Sequence, residues 1–555
     1  MPAQHPTPRN LEISRGPLSR FQASCQHILA PGQNAPMRTA SLAILGGVVW
    51  APGAAHATAV AVDGEMISAV GADADIRPLI GTDTRVIEAR GGTILPGFND
   101  AHIHFLMGSR GLAHLDLFGA ETQEEIERRI REFNASNSAP WLLARGWFYS
   151  AFPGGMPTIE LLDRLVPDRP AYLESFDTHT AWVNSRALEA AGLAPGAEPG
   201  ILKEHVMDDF EKHLPAPSTQ EDLESLRAGI RIAAARGVAS VQEASRGLKQ
   251  MPLYEALRER DELTMRVRLA FDMLPGIGID AWARALDMYE EAARTHKGDR
   301  WISTGIVKAF ADGVVESRTA LLLEPYAGAA GGIGQSRWEP GELAAAAQAA
   351  SARGWQVEIH AIGDRAIRDA LNAFEACDPA RRHRVEHIEA PAATDIARFG
   401  QLGVIASMQP QHAEPIKNLH EIWAPNLGPE RAARGWPWAS IARSGGRLAF
   451  GSDWPVVPID PFLSLHVAIN RQTGAGEPPG GWLPDQRLTL PQAVEAWTAG
   501  SAYAEHAEHI KGRLRQGMLA DIAVLDRNLE KTAQQEIAQT KVEATVVGGR
   551  LVFER

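Results

Sequence analysis

Short apolar runs bounded by turn residues dominate this chain, and several of those in its middle end on a histidine or an aspartate. At the N-terminal side, Ser41–Trp50, Thr58–Val62 and Met66–Val70 read as short strands separated by Pro-Gly and Asp-Gly turns. Asp521–Leu525 and Val542–Phe553, the latter with Gly548 and Gly549 at a turn, repeat that pattern at the other end. Two β-rich ends flanking a central region predict one composite β-sandwich over residues 37–94 and 515–555. The region between them, residues 95–514, alternates strand-like runs with helix-like sequence, without internal repeats or low-complexity tracts.

The central runs carry the candidate chemistry. Leu95–Phe105 places His102 and His104 two residues apart at the end of an apolar run. In a β-strand residues i and i+2 point to the same side, so both imidazoles can reach one ion. Two imidazoles on a rigid strand make half of a metal site. Trp355–Asp364 ends near His360, His383–Glu389 near His387, and Arg447–Pro455 delivers Asp453. Each polar residue sits at the C-terminal end of its strand, followed by turn or helix-like sequence, which is where a (β/α)8 barrel keeps its chemistry.

Taken together, these residues resemble the amidohydrolase superfamily, whose barrel carries His-x-His on the first strand, histidines on the fifth and sixth, and aspartate on the eighth. The match is in order, residue type and strand context. Lys308, within Ile306–Gly313, is similar to the fourth-strand lysine of that superfamily, which is carboxylated by CO2 and bridges two metal ions. Glu316–Ala320 and Gly363–Arg365 narrow the resemblance to amidohydrolase family 3, a branch that includes N-substituted formamide deformylase. The resemblance runs from about Met37 to the C-terminus. It implies an α/β fold, a (β/α)8 TIM-like barrel with an accessory β-sandwich built from both chain ends, and a ligand set of His102, His104, Lys308, His360, His387 and Asp453. The implied cofactor is a divalent cation, zinc first with manganese or iron as alternatives, one or two per chain.

Lys308 has a second reading. Strand alternation puts it on one face with Ile306, Phe310 and Asp312, pointing into the barrel. A buried lysine must be paired or neutral. Either it is a carbamate shared by two cations, or it is an ammonium paired to Asp312 or Asp453 beside a single ion.

Strand counting locates an insertion. Trp141–Trp147, Ala171–Phe176, Gly237–Gln242 and Arg266–Phe271 all read as strands, but a barrel with Lys308 on its fourth strand needs only two of them. The last two are assigned as strands two and three, leaving roughly residues 106–215 as an insertion after strand one. An insertion there walls the pocket and sets selectivity. Within it, Trp147, His179 and Trp182 either line an aromatic pocket or pack the insertion, and His179, beside Asp177 and Thr178, is the candidate for a functional role. Arg318 either orients a substrate oxygen or pairs with Asp312 or Glu316. Gln411 or His412, after the seventh-strand run, either faces the pocket or lies on the surface.

Composition narrows the classes. A chain of 555 residues with 45% hydrophobic content can bury a large core, and a net charge of −13 disfavours a nucleic-acid or anionic-membrane binder. Cys25 and Cys377 form no Cys-x-x-Cys pattern, so a reducing cytoplasm is the expected setting. No apolar run approaches the ~20 residues of a membrane helix. Residues 1–36 are proline-rich without a secretory core and read as a disordered extension, with Met37 as the expected start. The expected partner is a small-molecule amide, the expected assembly a homodimer, and neither nucleic acid nor membrane takes part.

The expected chemistry is hydrolysis. A divalent ion lowers the pKa of bound water from about 15.7 towards ~7. Asp453 takes the proton and passes it to the leaving nitrogen, and His179 helps stabilise the oxyanion. The resemblance alone points to a C–N bond outside the peptide backbone. Two alternatives remain open: a mononuclear aminohydrolase or deaminase on the same barrel, and a non-catalytic binding or regulatory descendant.

Overall fold

A computed structural model describes residues 39–51, 57–194, 199–328 and 331–555. The extension 1–36, the start at Met37 and Cys25 lie outside the described residues. Eight parallel strands form the centre: Phe98–Ile103, Val238–Glu243, Arg266–Asp272, Ile302–Phe310, Gln356–Ala361, Arg384–His387, Ile405–Met408 and Arg447–Phe450. Each neighbours the next in chain order, as in a (β/α)8 barrel. These strands are covered on both faces, so they read as near-continuous apolar runs.

Closure of the barrel brings the first and eighth strands together at the end that matters. The Asp453 N–H donates to the His102 carbonyl (2.7 Å) and the His104 N–H to the Trp454 carbonyl (2.9 Å). Gly451 permits this approach, since a Cβ there would lie 2.4 Å from the His102 nitrogen.

Helices cover the outside for local reasons. Thr219–Ala235 starts in a capping box, in which Ser218 accepts from the Glu221 N–H and Glu221 accepts from the Ser218 N–H. It buries Leu223, Leu226, Ile230 and Ala233, the spacing of one helical face, against the barrel.

Two further sheets, one of four strands from the N-terminal segment alone and one of five strands from both segments, share a core of Ile44, Val60, Val62, Ile522, Val524 and Val546. Thr93–Pro96 pairs antiparallel with Ile522–Leu525, joining the N-terminal segment to the C-terminal one. The run Ser41–Trp50 differs from expectation, because it is two strands, Leu42–Leu45 and Val48–Val49, in different sheets. Gly46, at φ +68°, supplies the left-handed residue at the break.

The segment after strand one forms its own five-stranded sheet, in the order Ile201–Lys203, Thr180–Val183, Ala171–Ser175, Leu142–Trp147, Leu115–Asp116. Its apolar core is separate from the barrel's and centres on Trp147, Tyr149, Phe152 and Trp182. No helix among the described residues is long and apolar enough to cross a membrane. Cys377 is buried and unbridged.

Candidate metal centre

His102 is the innermost of the candidate ligands, fully buried on strand one. His104 stands one residue beyond the strand, directly before the helix Phe105–Gly111. Glu243, at the end of strand two, accepts from the Phe105 and Leu106 N–H groups (2.8 and 3.3 Å) and so fixes that turn. Burial pushes the Glu243 carboxyl up to about 8 against the pull of those donors.

Hydrogen bonds to the imidazoles decide which nitrogen carries the proton, and His387 Nδ1 also lies 3.7 Å from Asp453 Oδ2. His102 Nδ1 lies 2.7 Å from Glu386 Oε2, and His387 Nδ1 lies 2.9 Å from Gln409 Oε1. Both partners are acceptors, so each ring carries its proton on Nδ1 and keeps a lone pair on Nε2. Glu386 is itself held by Arg384 (2.9 Å), a fully buried guanidinium that also reaches the Ala101 carbonyl, Gln242 and Ser407. His387 and Asp453 adopt left-handed backbone (φ +71° and +59°), conformations that non-glycine residues hold at a cost and that often mark functional sites.

Asp453 is the point of convergence. Its Oδ1 lies 3.6 Å from His102 Nε2 and 3.5 Å from His104 Nε2, and its Oδ2 lies 3.7 Å from His412 Nε2. His102, His387 and Asp453 offer ligand atoms within 4.8 Å of one another. Asp453 Oδ1 is buried and has no hydrogen-bond partner, although a buried carboxylate oxygen without a donor is costly. Burial pushes Asp453 up to about 6, while nearby His412 and Lys308 oppose the rise. Burial likewise holds His104 down to about 3, and His102, His360 and His387 well below the ordinary range, so all four are neutral donors. Neutral imidazoles around an orphaned carboxylate oxygen are a donor set that fits a divalent cation.

His360 packs on His387 (ring centroids 4.5 Å apart), but its Nε2 turns to the Gly313 carbonyl (3.3 Å). Lys308 is buried, with Nζ 3.3 Å from His102 Nε2 and 4.7 Å from the centre of the Phe310 ring. Burial lowers its pKa, and the charges of Glu358, Glu386 and Asp453 work the other way. Among the described residues no carboxylate stands within 4.0 Å of Nζ, so the alternative pairing to Asp312 or Asp453 is not formed. Asp312 is instead occupied by the Leu321, Ile362 and Gly363 N–H groups (2.8, 3.1 and 2.9 Å).

His179 comes from the insertion and stacks obliquely on His360 (5.3 Å). Its Nδ1 is 3.1 Å from Glu204, which also accepts from Thr319 and lies 3.7 Å from Arg337. Burial alone would lower the His179 pKa, but Glu204 and Asp177 hold it up at about 9. His412 stacks parallel to His387 (6.0 Å, 7°) and lies 3.8 Å from Glu389, at the centre rather than on the surface. Gln411 is buried.

The structure narrows the alternatives left open for Trp147, Trp182 and Arg318. Trp147 and Trp182 are fully buried and donate their indole N–H groups to the Leu173 and Thr158 carbonyls, so they pack the insertion and do not wall the pocket. Arg318 pairs with neither Asp312 nor Glu316; its Nε donates to Asn426 (3.0 Å). Glu386, Arg384, Glu204 and Gln409 were not singled out from the sequence. The two-residue spacing of Arg384 and Glu386 on one strand face was the available signal for the first two. Glu204 had none, because its partner His179 and its donor Thr319 come from different parts of the chain.

Comparison with known proteins bears on this centre. A family described as "Amidohydrolase family" matches residues 85–553. The chain is 29% identical to the protein LONG AFTER FAR-RED 3 of Arabidopsis thaliana, over 90% of this chain and 88% of that one. It is 25% identical to the N-substituted formamide deformylase of Arthrobacter pascens, over 90% of this chain and 95% of that one. Among solved structures, an uncharacterized metal-dependent hydrolase from Pyrococcus furiosus superimposes with a TM-score of 0.67 at 26% identity, covering 88% of this chain and 99% of that one.

Proposed function

The chain belongs to the amidohydrolase family, and from that premise we propose that it hydrolyses a C–N bond outside the peptide backbone, in a small N-substituted amide or formamide. The observation that carries this reading is the partnerless Oδ1 of Asp453, set among the neutral imidazoles of His102, His104 and His387. Those residues would hold the cation, with His360 and Lys308 beside them. A bound divalent ion supplies Lewis-acid charge that makes a carbonyl more electrophilic and water more acidic.

The rest follows from the chain's own groups. Asp453, whose Oδ1 has no hydrogen-bond partner, is placed to take a proton from an attacking water and return it to the leaving nitrogen. His179, kept as an imidazolium by Glu204, is a cationic donor for the oxygen on which negative charge develops. The amide preference draws support from the likeness to N-substituted formamide deformylase. Zinc, a carboxylated Lys308 and a homodimer belong to the same reading.

A mononuclear aminohydrolase is the second reading. Lys308 favours it, because its amine stands 3.3 Å from His102 Nε2. A screen of N-formyl, N-acyl and cyclic amides against imines and aminopurines, with zinc- or manganese-loaded protein, separates the two. Release of amine with formation of a carboxylate supports the amide reading. Ammonia release from the ring compounds alone would overturn it.

A further inference from the structure

Away from the metal centre, Arg471 is a buried cation without a counter-charge. It directly follows the helix Pro461–Asn470, is fully buried and takes a left-handed backbone conformation (φ +56°). Its guanidinium lies over two indole rings, 4.4 Å from the centre of Trp438 and 4.7 Å from that of Trp482. Its Nε donates to the Trp482 carbonyl (2.9 Å) and its Nη2 to the Gly435 carbonyl (3.1 Å), and both acceptors are neutral. Among the described residues no carboxylate forms an ion pair with it, and burial unopposed by any acid brings its pKa down to about 9. Two other buried arginines each have such a partner, Arg266 in Asp521 (2.7 Å) and Arg384 in Glu386 (2.9 Å).

The remaining nitrogen, Nη1, is buried and donates to nothing among the described residues, and the same holds for the indole N–H groups of Trp436 and Trp438. All three belong to one continuous stack. Trp438 lies against the guanidinium, its backbone N–H donates to the Trp436 carbonyl (2.9 Å), and the Trp436 ring meets Trp482 at 5.9 Å. Guanidinium and indole offer donors and no acceptor. A water molecule has two hydrogens of its own to donate, and the carbonyls at hand already accept from Arg471. An anion needs donors alone. The indole faces attract the guanidinium but carry no net charge, so one monovalent anion completes the balance.

We propose that Arg471 Nη1, with the indole N–H groups of Trp438 and Trp436, binds one chloride-sized monovalent anion. The ion joins the segment after strand seven, which carries the two tryptophans, to the segment after strand eight, which carries the arginine. Its role is in stability and is independent of the bond that the metal centre breaks.

The test is thermal unfolding of the metal-loaded chain in sodium chloride and in sodium gluconate at equal ionic strength, so that screening is the same in both. A ligand held only by the folded chain raises the midpoint as its concentration rises. The midpoint is expected to climb with chloride and to stay level with gluconate, an anion too bulky for an enclosed site. Trp438→Phe deletes one donor and keeps the guanidinium, so it should need about tenfold more chloride for the same rise, the scale of one hydrogen bond to a charged group. Equal midpoints in the two salts would overturn the proposal, since water then satisfies the donors. An unchanged chloride dependence in folded Trp438→Phe would also overturn it, because the ion would then sit elsewhere, at the metal for example. Should Trp438→Phe fail to fold, wild-type crystals grown in sodium bromide decide the matter. An anomalous peak within hydrogen-bond reach of Arg471 Nη1 is expected, and none at that position would overturn the proposal.

Discussion

Glu386 Oε2 sits 2.7 Å from His102 Nδ1, and this contact decides that His102 presents Nε2 to Asp453. Arg384 fixes the carboxylate from behind, so the orientation of the imidazole is set two residues deep. Glu386→Gln keeps the shape but removes the anion that holds the tautomer. Metal affinity is expected to fall by about 10–100-fold, the usual effect of losing such a supporting partner. Competition with a chelating dye measures it, and unchanged affinity would show that the contact does not tune the ligand.

Prolonged chelation should abolish hydrolysis, and zinc or manganese should restore it, because neutral imidazoles and Asp453 have little to polarise a substrate with on their own. Metal content and rate are followed together. Normal turnover by protein without metal would refute the proposed mechanism.

Asp453→Asn is expected to lower kcat by about 10²-fold or more while leaving the thermal midpoint close to wild type. The orphaned oxygen then becomes part of an amide that cannot accept and return a proton. Near-normal kcat would remove Asp453 from proton transfer.

Lys308→Ala separates one cation from two. If Lys308 is carboxylated and shared, the variant should lose about one metal per chain, and short carboxylic acids should restore part of the activity. If its amine simply rests beside His102, both proteins prepared with bicarbonate should hold equal metal. Elemental analysis reads the difference directly.

His383 offers a stability test away from the centre. Its Nδ1 accepts from the Val357 N–H (3.0 Å), its Nε2 lies 3.1 Å from the Ser351 hydroxyl, and its ring stacks on Phe374. Burial lowers its pKa from 6.5 to about 4. Between those values the unfolded chain binds a proton that the folded chain refuses, so stability falls as pH drops from 6.5 towards 4 and the loss then levels off. The contribution is about 3 kcal/mol at most. Denaturant midpoints over this pH range should fall less steeply for His383→Gln than for wild type, and parallel curves would exclude the effect.

The sequence by itself determined much of the frame. Alternation along strands is a local property of the backbone, so His102, His387 and Asp453 at the ends of apolar runs, and the barrel that carries them, were legible residue by residue. The excess of strands before Lys308 likewise exposed the insertion. Local pattern does not say which residue stands across from which. The contact of His102 with Glu386 spans 284 positions, and it exists only because strands one and six converge in a closed barrel. The sequence leaves Trp147 open between pocket and packing, and it is core because the insertion folds around its own sheet. Glu204 gains its role only when the insertion brings His179 against His360. Tertiary structure decided these partnerships, because hydrogen bonds and burial depend on distances through space that a period of two along the chain does not encode.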